Sequence, residues 1–314
     1  MKSCFERVCP TVQFMVAMLV TIIATGGTES SCTADDENSS QRQVMDLWPD
    51  GVPGATQTGD GDVPQLIVTH AESQNAVPAV VILPGGGYRG RAMDHEGYQI
   101  ADWFRSMGFT SAICTYRVRG QGNDGKGYGH PYPMTDAQRA IQTVRANAKE
   151  WNVIPDKIGV IGFSAGGHLA STVSTHFADT NVQQGDHIAE ISSRPDFSIL
   201  CYPVIAMGVD FTHAGSQRNL LGTDPDPRLV TLMSNDKQVT AQTPPTFLFH
   251  TAADTVVPVK NSLVYYQACV DHGVPAEMHV FPEGRHGVGL AKGISGASAW
   301  PELCRDWLQR IVKN

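Results

Sequence analysis

The 314-residue chain has no surplus of positive charge: 23 Lys and Arg stand against 31 Asp and Glu, a formal net charge of −8. No basic patch with interleaved aromatics offsets that balance, which argues against nucleic acid as a partner. The same acidity disfavours anionic membranes and polyanionic substrates and suits a neutral substrate. No apolar run reaches the ~20 residues needed to cross a bilayer. No cysteine spacing resembles a zinc site, and the one triple-glycine run lacks the Lys and Ser/Thr that would follow in a phosphate cradle. Internal repeats are missing as well. These absences leave an exported or soluble α/β domain for which neither a metal nor a cofactor is expected.

The first residues read as a targeting segment. Lys2 and Arg7 make a positive start, residues 14–24 are apolar and uncharged, and Ala24, Thr25 and Gly26 are small. That order is the one of a secretory signal, so residues 1–26 are expected to be a signal peptide and the mature protein to be periplasmic or extracellular, with no membrane partner. Cys32 suggests lipid modification only weakly, because Glu29 stands where a lipoprotein signal wants an aliphatic residue. Residues 27–42 are polar and acidic and read as a disordered linker. The globular catalytic domain is expected over 43–314. Of the seven cysteines, Cys114 and Cys201 lie in strand-like runs. Cys269 and Cys304 lie on predicted helices, and a bridge between them is left open by the sequence.

The body alternates two periodicities. Buried-strand runs are predicted at 79–83, 111–116, 157–163, 197–202, 246–250 and 278–281. Between them lie helices. One carries Ile100, Trp103, Phe104 and Met107 and stops at Gly108; another starts near Pro133 and carries Ile141, Val144, Ala148 and Trp151. Further helices are predicted over 258–273 and 301–312. This alternation predicts an α/β fold, a mostly parallel sheet with helices on both faces, whose ligands bind at the carboxyl ends of the strands. Residues 204–242 have a weaker pattern and read as a small insertion over those ends. Whether it shapes a pocket or is a surface excursion is open at this level.

Chemistry gathers at the predicted strand ends. Gly162, Phe163, Ser164, Ala165 and Gly166 form G-x-S-x-G between a strand and a helix. In that setting the serine leaves the backbone at a sharp angle, and the helix N-terminus directs amide hydrogens at a reacting carbonyl. An ordinary N-cap serine in a glycine-rich turn is the plainer alternative. A second oxyanion donor would come from LPGGGY, residues 83–88, where Gly86 or Gly87 could act beside Ala165. Asp254 follows the 246–250 strand, and His286 lies in a glycine-flanked loop after the last one. The order Ser164, Asp254, His286 is that of a nucleophile, acid and base on this architecture.

From these motifs the sequence is identified as resembling bacterial α/β-hydrolases of the acetylxylan/feruloyl esterase-like group, within the broader esterase–lipase family. The stretches LPGGGY, AMDHEG, DAQRAIQ, GVIGFSAGGHLAS, NLLG, TPPTFLFHTAADTVVP and GRHGVGL carry the resemblance over nearly the whole chain from Trp48 onward. Members often bear the name xylanase. The resemblance implies hydrolysis of small acyl esters, often acetyl groups on plant polysaccharide or its oligosaccharides, without a metal. One departure is Pro84, where many lipase-like relatives carry histidine. Three other readings compete: a glycanase of the endo-xylanase type, a lipase or peptidase on the same fold, and a catalytically dead binding scaffold. A glycanase needs a pair of carboxylates flanking the bond, and no such pair stands out. Among lesser features, Asp94 to Glu96 read as a helix cap more readily than as a brace for the glycine loop. Asp136 and Arg139 read as a structural pair. His168 is expected to bond locally, and His130 and His213 are candidate pocket-lining residues.

Overall fold

The computed structural model describes residues 42–55, 59, 61–177 and 186–313. The expected signal peptide lies outside them, as does the expected linker save Arg42, which already belongs to the first strand. Eight strands form one sheet: β1 (Arg42–Asp46), β2 (Gln65–Thr69), β3 (Val77–Leu83), β4 (Thr110–Cys114), β5 (Val153–Phe163), β6 (Ser198–Cys201), β7 (Thr246–Thr251) and β8 (Ala276–Phe281), in the order β1-β2-β4-β3-β5-β6-β7-β8. From β4 to β8 every neighbouring pair is parallel; β2 joins β4, and β1 joins β2, in antiparallel fashion. The helices are α1 (Gln99–Ser106), α2 (Tyr132–Ala146), α3 (Ala165–Thr175), α4 (Ala214–Leu221), α5 (Pro227–Leu232), α6 (Lys260–Asp271) and α7 (Trp300–Lys313).

Side chains alternate across a strand, so each buried strand feeds two cores. Val81, Leu83, Val160, Leu200 and Leu248 face one way, against α2, α3 and α6. Val80, Ile82, Ile161, Ile199, Phe247 and Phe249 face the other, against α1 and α7. There the Trp300 ring stacks on Phe249 at 5.0 Å and 13°, a contact worth roughly 0.5–1.5 kcal/mol beyond the burial itself. The two cores also decide the cysteine question. Cys269 and Cys304 are buried free thiols, one in each core, with the sheet between them.

One reading of the polar residues needs correction. Asp136 does not pair with Arg139. Its carboxylate takes Nε and Nη2 of Arg117 at 2.8 and 2.7 Å, with both side chains fully buried, and also accepts the Trp48 indole at 3.0 Å. Arg139 pairs instead with Asp186. The i,i+3 spacing placed Asp136 and Arg139 on one helix, but each has a partner from another part of the chain. Strands β1 and β2 were not anticipated. The first is a polar edge strand with an intermediate-to-exposed surface, held by backbone pairing that leaves no hydrophobic alternation to read.

Candidate active site

All parallel strands end at one edge of the sheet, and the candidate residues sit just past those ends. Ser164 follows β5 directly. It takes φ 54° and ψ −118°, a conformation that costs of order 1–3 kcal/mol in a non-glycine residue. Its own backbone bonds hold it there: the amide donates to Cys201 O, and the carbonyl accepts from the amides of His168 and Val204, all at 3.0 Å. The flanking glycines answer to crowding. A Cβ on Gly166 would lie 2.0 Å from Leu83 O, and one on Gly162 would lie 2.1 Å from Gly166 O. The strand, the turn and α3 approach too closely for any side chain.

Ser164 is the N-cap of α3 but makes no capping bond. Its hydroxyl lies 2.7 Å from His286 Nε2, and His286 Nδ1 lies 2.6 Å from Asp254 Oδ2. A carboxylate only accepts, so Nδ1 carries the ring hydrogen and Nε2 presents its lone pair to the serine hydroxyl. Asp254 comes from the loop after β7, and its other oxygen accepts the amides of Val256 and Val257 at 2.9 Å. Burial pushes its carboxyl up, but hydrogen bonding by His250, His286 and the Val257 amide outweighs burial and holds it well below the usual carboxylate range. Asp254 therefore stays ionised while it orients the imidazole.

The loop after β3 faces Ser164. Among the described residues, the amides of Gly86 and Gly87 donate to no protein group, and Ala165 opens a helix whose first amides have no intrahelical acceptor. The Gly85 amide is already spent on Glu96 Oε2 at 2.8 Å. The loop is pinned from several sides. Tyr116 donates its hydroxyl to Pro84 O, and Asn219 Nδ2 donates to Gly87 O at 2.8 Å. The buried Tyr88 hydroxyl bonds His168 Nδ1 at 2.8 Å. His168 Nε2 bonds Met233 O at 2.8 Å. Burial pushes His168 down to about 4, so it remains neutral and takes the local role expected of it.

Glu96 does not cap a helix. It lies in a π-helical turn, Asp94–Tyr98, and is buried. Besides Gly85, it accepts the Tyr202 hydroxyl at 2.8 Å on Oε1, and the same phenol oxygen accepts the Gly289 amide at 2.9 Å. Tyr202 also packs its ring edge-on to His286 at 5.2 Å. A single carboxylate thus links the glycine loop, through Tyr202, to the loop that carries His286. The sequence offered no sign of Tyr202.

Around these groups lies a cavity of about 400 Å³, whose walls include Gly86, Gly87, Ser164, His286, His213 and Val256. His213 comes from the 204–242 insertion, which therefore does shape the pocket. His130 does not line it; its amide is engaged by Leu220 O at 2.8 Å. Chemically the arrangement offers a hydroxyl with a base at hydrogen-bond distance, an oriented and charge-supported imidazole, and unspent amides beside the hydroxyl: the parts needed for acyl transfer.

Comparison with known proteins points the same way. The BD-FAE family model matches residues 66–268. Endo-1,4-beta-xylanase B of Butyrivibrio fibrisolvens is 36% identical over 231 residues, 74% of this chain and 35% of that protein. The acetylxylan esterase of Xylanibacter ruminicola is 34% identical over 237 residues, 74% of this chain and 45% of that protein. The chain thus spans less than half the length of either relative. Among solved structures, the acetyl ester-xyloside bifunctional hydrolase of Caldicellulosiruptor lactoaceticus superposes with a TM-score of 0.78 at 43% identity, covering 86% of this chain and 96% of that one. The carboxylesterase Cest-2923 of Lactobacillus plantarum gives a TM-score of 0.66 at 25% identity, over 86% and 96% of the two chains. The fold is that of the α/β-hydrolases, and by the extent of the family match the chain belongs to the BD-FAE family.

Proposed function

We propose that the chain is a serine carboxylic-ester hydrolase that removes small acyl groups, acetyl foremost, from acylated xylan or its oligosaccharides. The observation that carries this reading is the unbroken line from Ser164 Oγ through His286 to Asp254, at 2.7 and 2.6 Å. Ser164 Oγ attacks the ester carbonyl carbon while His286 Nε2 takes its proton. The carbonyl oxygen becomes an oxyanion between Ala165 N–H and the Gly86 and Gly87 amides. Collapse of the tetrahedral intermediate expels the sugar alcohol, which takes the proton from His286. Water then repeats the sequence on the acyl-serine and releases acetate. The names of the relatives support acetylated xylan as the substrate class.

Cleavage of the glycan chain itself is a weaker fit. It calls for two carboxylates flanking the scissile bond. Among the described residues the cavity wall carries one, Glu96, with both oxygens already bonded. The deciding experiment measures acetate release from acetylated xylan beside reducing ends from unsubstituted xylan, for wild type and Ser164→Ala. Acetate release that depends on Ser164, without chain cleavage, supports the proposal. Reducing ends produced equally by both proteins refute it. Export also remains a proposal, supported by Lys2, Arg7 and the apolar 14–24 stretch. Mature protein from the native host is expected to start near Gly27, and an intact Met1 in a cytoplasmic fraction would contradict it.

A further inference from the structure

Helix α4 begins at His213, whose side chain is the N-cap. Nδ1 accepts the Ser216 amide at 3.3 Å and lies 2.8 Å from the Ser216 hydroxyl. An amide N–H can only donate, so Nδ1 must hold a lone pair. The ring hydrogen of the neutral imidazole is therefore on Nε2. Among the described residues Nε2 has no partner, and the half-buried ring forms part of the wall of the Ser164 cavity. Burial, followed by the neighbouring His286, holds His213 below the ordinary histidine value, against an opposite pull from Asp254. At neutral pH the ring is thus a fixed, uncharged donor.

Its position is fixed as well. Asn219, six residues further along the chain on α4, donates to Gly87 O, and its own carbonyl accepts Arg119 Nε at 2.9 Å. The His213 ring comes within 4.0 Å of where a Cβ on Gly87 would stand. The donor is therefore held beside the glycine loop. An acetyl group has one acceptor oxygen, and the Gly86, Gly87 and Ala165 amides already serve it. A second oxygen for His213 has to come from the alcohol part of the ester. In a sugar ester that part is rich in hydroxyl and ring oxygens.

We propose that His213 is a specificity-determining residue whose Nε2–H donates to a hydroxyl or ring oxygen of the sugar beside the acetylated carbon. The inference rests on the esterase reading of Ser164, and the test separates the two. Acetate release would be followed for wild type, Ser164→Ala, His213→Asn and His213→Gln, on an acetylated xylo-oligosaccharide and on phenyl acetate. The alcohol part of phenyl acetate has no oxygen beyond the ester's own. Asn can still cap α4 but its side chain is too short to replace Nε2. Gln places an amide donor near Nε2 but caps poorly.

The expected result is a crossover. His213→Asn lowers the ratio of kcat/KM on the sugar ester to that on phenyl acetate by about ten-fold, the scale of one hydrogen bond. His213→Gln restores most of that ratio despite the weaker cap. A ratio unchanged in His213→Asn, or a larger loss in Gln than in Asn, would show that His213 only caps the helix and would overturn the inference. Wild-type activity on phenyl acetate alone would overturn it too, while leaving the esterase reading standing. Acetate release undiminished in Ser164→Ala would instead remove that reading, and the inference with it.

Discussion

Glu96 offers the sharpest test of how the site is held together. Replacing it with Ala leaves the Gly85 N–H and the Tyr202 O–H, both buried, without their acceptor. Each orphaned donor costs about 1–3 kcal/mol. Against that, the substitution relieves a carboxylate whose burial lifts it above the ordinary value of 4.5, despite the opposing effects of Tyr202, His95, Gly85 and His286. The two contributions partly cancel, so the melting temperature is a poor reporter for Glu96→Ala. Turnover is a better one. Gly85 is covalently next to Gly86, and losing an oxyanion donor costs roughly 10²–10³-fold in kcat. Glu96→Ala is expected to lower kcat on a small acetyl ester by about 10²-fold with little change in KM, because the loss falls on the transition state. Glu96→Gln is expected to lie between Ala and wild type. Its carbonyl can accept Gly85 N–H while its amide faces Tyr202. The pH dependence adds a second readout. A carboxyl whose value is raised on folding binds its proton more tightly in the folded state, so its contribution to stability falls as pH rises above 4.5. The Gln variant lacks that loss and should gain in melting temperature relative to wild type as pH is raised from about 4 to 8. A kcat within two-fold of wild type in Glu96→Ala, together with parallel melting curves for Gln and wild type across pH, would refute the argument.

Three further outcomes are expected. Asp254→Asn should keep the fold, as judged by circular dichroism, and lose up to ~10⁴-fold in kcat, because the amide favours the wrong imidazole tautomer. Gly166→Ala should abolish soluble folded protein or sharply lower its melting temperature, since its Cβ would meet the Leu83 carbonyl at 2.0 Å. Arg117→Ala should destabilise by about 3–5 kcal/mol in urea titration, because it leaves Asp136 charged and unpaired in a fully buried setting; the double variant Arg117→Met with Asp136→Leu should recover much of that loss.

The parts of the site that were legible in the sequence are those whose geometry is local. A serine in the strained turn after a strand needs small neighbours within two residues, and Gly162 and Gly166 supply them in the open. Asp254 and His286 could be placed because each follows its own strand. Tyr202 could not, and Glu96 entered only through the less favoured reading of residues 94–96 as a brace for the glycine loop, which its bond to Gly85 matches. The bond between Glu96 and Tyr202 spans 106 positions, and the one from Tyr202 to Gly289 spans 87. No spacing rule reaches that far, so the helix-cap reading of residues 94–96 won on local grounds and was wrong. Asp136 and Arg139 failed for the same reason, each being claimed from outside its helix. The strands of the parallel sheet, with apolar runs, were visible; β2, whose Leu66, Ile67 and Val68 are just as apolar, was passed over, and β1, with its polar sequence, is held by pairing with β2 and by the Arg42–Asp102 ion pair.

The segment between β6 and β7 supplies His213 to the pocket and Asn219 to the glycine loop, yet it leaves and re-enters the sheet at neighbouring strands. It is moored to the rest of the molecule at many points: Val204 N–H donates to Ser164 O, Asn261 Oδ1 accepts the Ile205 and Ala206 amides, Met233 O meets His168 Nε2, and Ile205, Met207, Met233 and Val239 are part of the core. Asn219 meets the glycine loop, Leu220 O takes the His130 amide, and Asn235 Nδ2 reaches His168 O, Ser171 Oγ and Thr172 Oγ1 on α3 at 3.0, 2.7 and 3.0 Å. Such a piece can be exchanged only together with those ties. Selection can rewrite the residues that greet the leaving alcohol without disturbing the acyl-transfer groups, provided the moorings travel with it. A chimaera that imports a foreign segment but keeps Asn219, Asn235 and the core residues Val204, Ile205, Met207, Leu220, Met233 and Val239 is expected to inherit the donor's choice of alcohol on an unchanged catalytic base.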